Sequence, residues 1–197
     1  MHPINPKKQA IIAFTGKRGS GKDTCAEHLI NLYQSEQWSA IQRINFSDRL
    51  KSTVREIFGF THAQLNDPIL KNKVVDCWPF QSPRTVMQKF ATEGVRTIWP
   101  DLWVQCWLRD VKSVLKLNWS VVVTDLRFPN EREMLNEVAA GAGAQLLVVH
   151  VERPSVKVTD NHESEIHAGR LSHNVVIVND GDIEDLYYRM TALFYPQ

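Results

Sequence analysis

A chain of 197 residues can form one compact domain with a small inserted lobe, against ~150 for a typical domain, and it needs no metal or disulfide staple. Lys plus Arg total 23 and Asp plus Glu 22, so the net charge of +1 lacks the positive excess that drives sequence-independent nucleic-acid binding, and 43% hydrophobic residues argue against disorder. No run reaches the ~20 apolar residues of a membrane span, no signal peptide is recognisable, and Cys25, Cys77 and Cys106 are spaced as reduced packing thiols, so a cytoplasmic location is expected.

In chain order, Gln9 to Thr15 is a short apolar run with β-branched residues, read as a buried strand. From Lys22 onward Ala26, Leu29, Ile30 and Tyr33 follow helical spacing. A second strand is expected from about Ala40 to Phe46, then a helix capped by Ser47, with Leu50, Val54 and Ile57 on one face and a stop at Gly59. Residues 60 to 82 are irregular, with short helical turns at most, and mark the place for a lobe. Ser82-Pro83 opens another helix. A further helix covers Asp101 to Leu117, with Val104, Leu108, Val111 and Leu115 as its stripe.

Ser120 to Thr124 carries three successive valines, the pattern of a strand covered on both faces. A helix marked by Met134, Leu135 and Val138 stops near Gly141 and Gly143. Leu146 to Val151 and Val175 to Val178 are strands, and Ile183 to Phe194 forms the last helix. Strands alternating with helices imply an α/β fold built on a doubly wound, mostly parallel sheet of five strands.

Between the first strand and first helix stands Gly16-Lys17-Arg18-Gly19-Ser20-Gly21-Lys22-Asp23-Thr24, which fits G-x-x-x-x-G-K. Glycines let backbone N–H groups converge on phosphate oxygens, the helix N-terminus adds positive potential, and Lys22 reaches the β- and γ-phosphates of a nucleotide such as ATP. Asp23 departs from the usual Ser or Thr, a hydroxyl ligand for Mg²⁺. The metal ligands are therefore sought among Asp23, Thr24 and Asp125. Asp125 and Arg127 follow the valine strand, at the carboxyl edge where open α/β sheets bind ligands. There an acid organises the metal and an arginine neutralises a transferring phosphoryl group.

Phe46-Ser47-Asp48-Arg49-Leu50-Lys51 and the run Thr85 to Arg96 followed by Pro100-Asp101-Leu102-Trp103-Val104 resemble segments of the phage-type deoxynucleoside monophosphate kinases. The Gly-Lys-Asp-Thr loop ending, Asp125-x-Arg127, Val151 to Pro154, His162-x-Ser164-Glu165 and Asn179-Asp180-Gly181 follow in that family's order. Ala91 and Arg49 depart from its pattern, and the region from Phe60 to Ser82 matches poorly.

The resemblance implies a single P-loop kinase domain over residues 1–197, with an acceptor-binding helical region at 47–117 and a lid at 153–174. It implies ATP-dependent phosphoryl transfer to a deoxynucleoside monophosphate, with Lys22, Asp125, Arg127 and Arg153 carrying catalysis. Asn179, Asp180 and Gly181 would lie beside the adenine. Asp48, Lys51, Arg84, Gln88, Thr92, Glu93, Arg96 and Trp103 would take the acceptor. If one helix runs through Arg84, Gln88 and Arg96, a single polar face presents two guanidinium groups and an amide. Trp103 is either a wall of the acceptor pocket or, like Trp107, a core residue. His162, Ser164 and Glu165 would organise a closed lid, with Arg153 on the donor.

The alternatives are another small-molecule kinase, acting on phosphomevalonate or dephospho-coenzyme A, and a nucleotide-dependent binding module. The latter lacks an N-K-x-D base-reading motif. Partners are then the nucleotide substrate, with neither nucleic acid nor membrane, and a homodimer stays open. For a viral protein the location would be the host cytoplasm.

Overall fold

The computed structural model describes residues 4–156 and 163–195, together with the backbone but not the side chains of residues 163–165. The described residues form a five-stranded, wholly parallel sheet in the order β2-β3-β1-β4-β5, built from β1 (Ala10–Thr15), β2 (Ile41–Arg43), β3 (Ser120–Val123), β4 (Gln145–Glu152) and β5 (Val175–Val178). Helices α1 (Lys22–Ser35), α7 (Pro129–Ala142) and α9 (Ile183–Thr191) belong with the sheet. The chain divides into two compact units, residues 1–45 with 108–197 and residues 46–107.

In the sheet unit, β1 and β3 are buried at every residue because both faces are covered. Ile12 and Phe14 of β1, Val149 and Val151 of β4 and Ile177 of β5 pack with Cys25, Ala26 and Leu29 of α1 and Leu186 and Met190 of α9. Burial pushes the Cys25 thiol up to about 12, so it stays a protonated packing group. On the other face α7 packs against β1 and β4, burying Leu135 and Val138.

The helical unit holds α2 (Asp48–Phe58), α3 (His62–Asn66), a 3₁₀ turn at Leu70–Asn72, α4 (Pro83–Gln88), α5 (Arg96–Ile98) and the start of α6 (Leu102–Leu115). Leu50, Val54, Phe60, Leu65, Val86, Met87 and Trp103 form its core. α4 begins as the sequence implies, with Ser82 Oγ accepting from the Thr85 N–H at 3.2 Å and Pro83 in the first turn.

Several expectations need correction. Ser47 precedes α2 without a side-chain cap, because its backbone is already helical rather than extended. Ile57, assigned to the buried face of α2, is 52% exposed; the apolar face is carried by Leu50 and Val54. β2 is only three residues long, although the Ile44 N–H still donates to Val122 O at 3.0 Å. Residues 60–82 hold short helical turns as expected: α3, five residues started by Thr61 and Gln64 in a reciprocal capping box, and the 3₁₀ turn at Leu70–Asn72.

Between α4 and α5, residues Lys89–Val95 form a π-helical stretch. Its wider turns take in an extra residue, so α-helical spacing no longer sets Arg96 on the face of Arg84 and Gln88.

Candidate active site

The loop leaving β1 is shaped by positions where no side chain fits. Gly16 has φ +131°, and a Cβ there would lie 2.3 Å from the Val151 carbonyl oxygen of β4. Gly21, at φ +106°, would meet Asn179 Nδ2 at 2.7 Å. Backbone and side chain thus close on the loop, which only glycine permits.

Lys22, the first residue of α1, is 7% exposed, and its ammonium donates to Gly16 O at 2.8 Å and Lys17 O at 2.6 Å. The cation is therefore held inside the ring of backbone that it is expected to share with phosphate. Lys17, Arg18 and Gly19 are exposed at the rim, Ser20 is fully buried and Thr24 is half-buried.

Three strand ends meet around this loop. Parallel register pairs Ala13 with Val123, which sets Asp125, two residues beyond, level with Thr15 at the end of β1. Asn45 Oδ1 accepts the Thr124 N–H at 2.8 Å and the Thr124 hydroxyl at 3.3 Å, fastening the backbone just before Asp125. The buried Glu131 carboxylate accepts the N–H groups of Arg127 at 2.9 Å and Phe128 at 3.1 Å, which shapes the turn bearing Arg127. Neither Asn45 nor Glu131 carries a motif signal of its own; both are found only by their long-range or turn contacts.

From β4, Arg153 brings a guanidinium nitrogen to 3.5 Å from Gly19 O. Beyond β5, the buried Asn179 donates from Nδ2 to Ser20 O at 2.8 Å, and its backbone N–H bonds Glu152 O at 2.6 Å. Asn179 thus braces the phosphate loop, a task its sequence position did not signal. Asp180 pairs with Arg189 of α9 at 2.8 Å. A Cβ on Gly181 would lie 2.2 Å from Asp185, whose backbone N–H is capped by Asp182.

Asp23, in the first turn of α1, is exposed, its carboxylate 3.7 Å from an Arg43 guanidinium nitrogen of β2. Among the described residues no three His, Cys, Asp or Glu side chains gather as a metal cage. The available oxygen donors, Asp125 and Thr24, suit Mg²⁺, which takes one or two protein ligands and completes its shell with phosphate and water.

In the helical unit, Lys51 donates to Asn66 at 2.9 Å, Arg84 Nε to Asn72 at 2.8 Å, and Arg96 to Pro100 O at 3.3 Å. Asp48, Gln88 and Thr92 are half-buried and Glu93 is exposed. Trp103 is 5% exposed, its indole N–H donates to Ala91 O at 3.4 Å, and it packs in the core, so its burial favours the packing role. Trp107 is likewise core, tilted on Phe46 with centroids 4.8 Å apart. Residues 70–76 contribute to a cleft of about 350 Å³ lined by Gln64, Leu70, Lys73, Val74, Val75 and Asp76, in the stretch the sequence left unassigned.

The C-terminal part of the expected lid is fastened to the sheet. Thr15 Oγ1 donates to Ala168 O at 3.0 Å, Leu171 is buried, and Asn174 exchanges bonds with Val148 of β4. α8 (Glu163–Ala168) lies in this part. His162 falls outside the described residues, as do the side chains of Ser164 and Glu165.

The comparisons agree with this architecture. At the level of fold, the chain is similar to the Mycobacterium tuberculosis APS kinase CysC solved with AMPPNP and APS, with TM-score 0.51 and 15% identity over 95% of this chain and 98% of that one. In sequence it is 28% identical over 195 residues, 92% of this chain and 94% of the relative, to an Acanthamoeba polyphaga mimivirus protein provisionally named deoxynucleotide monophosphate kinase. It is 26% identical to the deoxynucleotide monophosphate kinase of Escherichia phage RB69, over 82% of this chain and 63% of the phage protein. The family model for deoxynucleotide monophosphate kinase matches residues 40–190, well over half of the sequence, and the chain belongs to that family.

Proposed function

We propose that the chain transfers the γ-phosphoryl group of ATP to the phosphate of a deoxynucleoside monophosphate, giving ADP and a deoxynucleoside diphosphate. The observation that carries this reading is the loop Gly16–Thr24 with Lys22 held inside it, its strand paired in register with β3, which Asp125 and Arg127 follow. The family model begins after this loop, so the loop geometry supports the reading independently of that match.

In the reaction an acceptor phosphate oxygen forms a bond to the γ-phosphorus, the bond to the β–γ bridging oxygen breaks, and its electron pair stays on ADP. The acceptor oxygen is already anionic near neutral pH, so no general base is needed; positioning and charge neutralisation suffice. Lys22 exchanges its two loop carbonyls for the β- and γ-phosphates, while the loop N–H groups hold the phosphate chain. Arg127 neutralises charge developing on the transferring group, its turn held by Glu131. Arg153, beside Gly19, covers the donor from the β4 side. Asp125, Thr24 and Asp23 are the residues that would hold Mg²⁺, which would supply charge neutralisation.

On the helical unit, Lys51, Arg84 and Arg96 are the cations assigned to the acceptor phosphate, and Asp48, Gln88, Thr92 and Glu93 the groups assigned to sugar and base. The test is a coupled ADP-release assay across deoxynucleoside and ribonucleoside monophosphates, phosphomevalonate and dephospho-coenzyme A. Turnover is expected only with nucleoside monophosphates, deoxy forms preferred. Faster turnover with either of the last two would move the protein to a different acceptor class.

A further inference from the structure

Asp23 stands where a hydroxyl residue is usual, directly after Lys22 and in the first turn of α1. An uncompensated carboxylate there opposes the charge that the loop attracts. The neighbouring strand answers it. Arg43, the last residue of β2, places one guanidinium nitrogen 3.7 Å from Asp23 Oδ1 and another 3.8 Å from Glu27 Oε1, one turn further along α1.

The Arg43 side chain is 28% exposed, against 72% for Asp23, and the nitrogen facing Glu27 is shut off from solvent with no hydrogen-bond acceptor among the described residues. These separations are too long for charge-assisted hydrogen bonds, so the contact adds little to stability. Its effect is on potential. A partly desolvated cation beside an exposed carboxylate is screened less than a pair in bulk water, so it alters the field at the loop more than it alters folding.

We propose that Arg43 is a positioning residue of the donor site: from β2 it offsets part of the Asp23 charge, so that a loop with Asp in place of a hydroxyl residue still binds a nucleoside triphosphate. This rests on the assignment of Gly16–Thr24 as the donor-phosphate loop.

The experiment is calorimetric titration of the full chain with ATP and with ADP. Arg43→Met, which keeps length and removes charge, is expected to weaken ATP ~10-fold and ADP less, because the penalty scales with ligand charge. Adding Asp23→Asn to that variant should bring ATP affinity back to within ~2-fold, and Arg43→Lys should stay within ~3-fold of the parent. A purely structural contact would weaken both nucleotides equally and would not be repaired by removing the second charge. Unchanged ATP affinity in R43M, or a loss that D23N deepens, overturns the proposal. Lys22→Ala run in parallel separates the two levels. If K22A binds ATP like the parent, the donor-loop assignment fails and takes this proposal with it; if K22A weakens ATP and R43M does not, only the role of Arg43 falls.

Discussion

Asn179 joins two parts of the chain 159 residues apart, and its removal has a calculable effect. Its amide is 9% exposed and donates to the carbonyl of the fully buried Ser20 at 2.8 Å, close against Gly21. Asn179→Ala deletes a neutral hydrogen bond of ~1 kcal/mol net and leaves that buried carbonyl facing unfilled space, together about 2 kcal/mol. For a chain of 197 residues this lowers the melting temperature by ~4–8 °C. Asn179→Asp keeps the volume but turns a donor into an anion pointing at a carbonyl, so it is expected to cost more than the alanine variant. It also places negative charge behind the phosphate loop, so ATP affinity should fall further than stability alone explains. Thermal melts followed by circular dichroism, with ATP titrations on the folded variants, give both readouts. If Asn179→Ala melts within ~1 °C of the parent and Asn179→Asp matches it, the brace between β5 and the loop contributes nothing and the reasoning fails.

Lys22→Ala should lower turnover at least ~100-fold in a folded protein, checked by ADP release beside a thermal melt. Gly16→Ala should abolish ATP binding, because its Cβ would meet the Val151 carbonyl at 2.3 Å, a backbone atom that has no rotamer to escape by; retained binding by titration would refute the loop geometry. Arg96→Ala is expected to raise the KM for the deoxynucleoside monophosphate while ATP affinity, titrated without acceptor, is unchanged. The half-buried His150 is held below the ordinary imidazole value by burial first, then by His173 and the ammonium groups of Lys22 and Lys17, with Glu152 opposing. Its folded form therefore resists protonation, and the stability it contributes is present above pH ~6.5 and lost as pH falls below that value. Urea melts from pH 7.5 to 5.5 should show that decline, and His150→Asn should lessen it, the remainder coming from His28, which burial also holds below the ordinary imidazole value.

The parts of the protein legible in the sequence are those whose physics is local. The valine strand, the alternation of strands with helices and the glycine-rich loop between Thr15 and Lys22 all declare themselves within a few residues, because burial on two faces and close backbone approach restrict residue type directly. The departure at Asp23 was visible in the same way. Its consequence was not, since Arg43 lies on another strand and nothing in its own neighbourhood marks it as a partner for α1.

The same division runs through the site. Lys22, Asp125 and Arg127 are readable from motif and strand end, but what holds them is not. Asn45 reaches Thr124 across 79 residues, Asn179 reaches Ser20 across 159, and Thr15 ties the end of β1 to Ala168 across 153. Such bonds depend on which strands become neighbours, and the order β2-β3-β1-β4-β5 places together segments that are remote in the chain. The helical region shows the converse error. Spacing alone aligned Arg84, Gln88 and Arg96, whereas the π-helical turns at Lys89–Val95 break that register, and Trp103 is drawn into the core with Ala91. A side chain's local pattern determines which element it can join; which face of that element becomes core, and which polar atoms brace the site, follows from packing partners that only the closed sheet and its helices bring into reach.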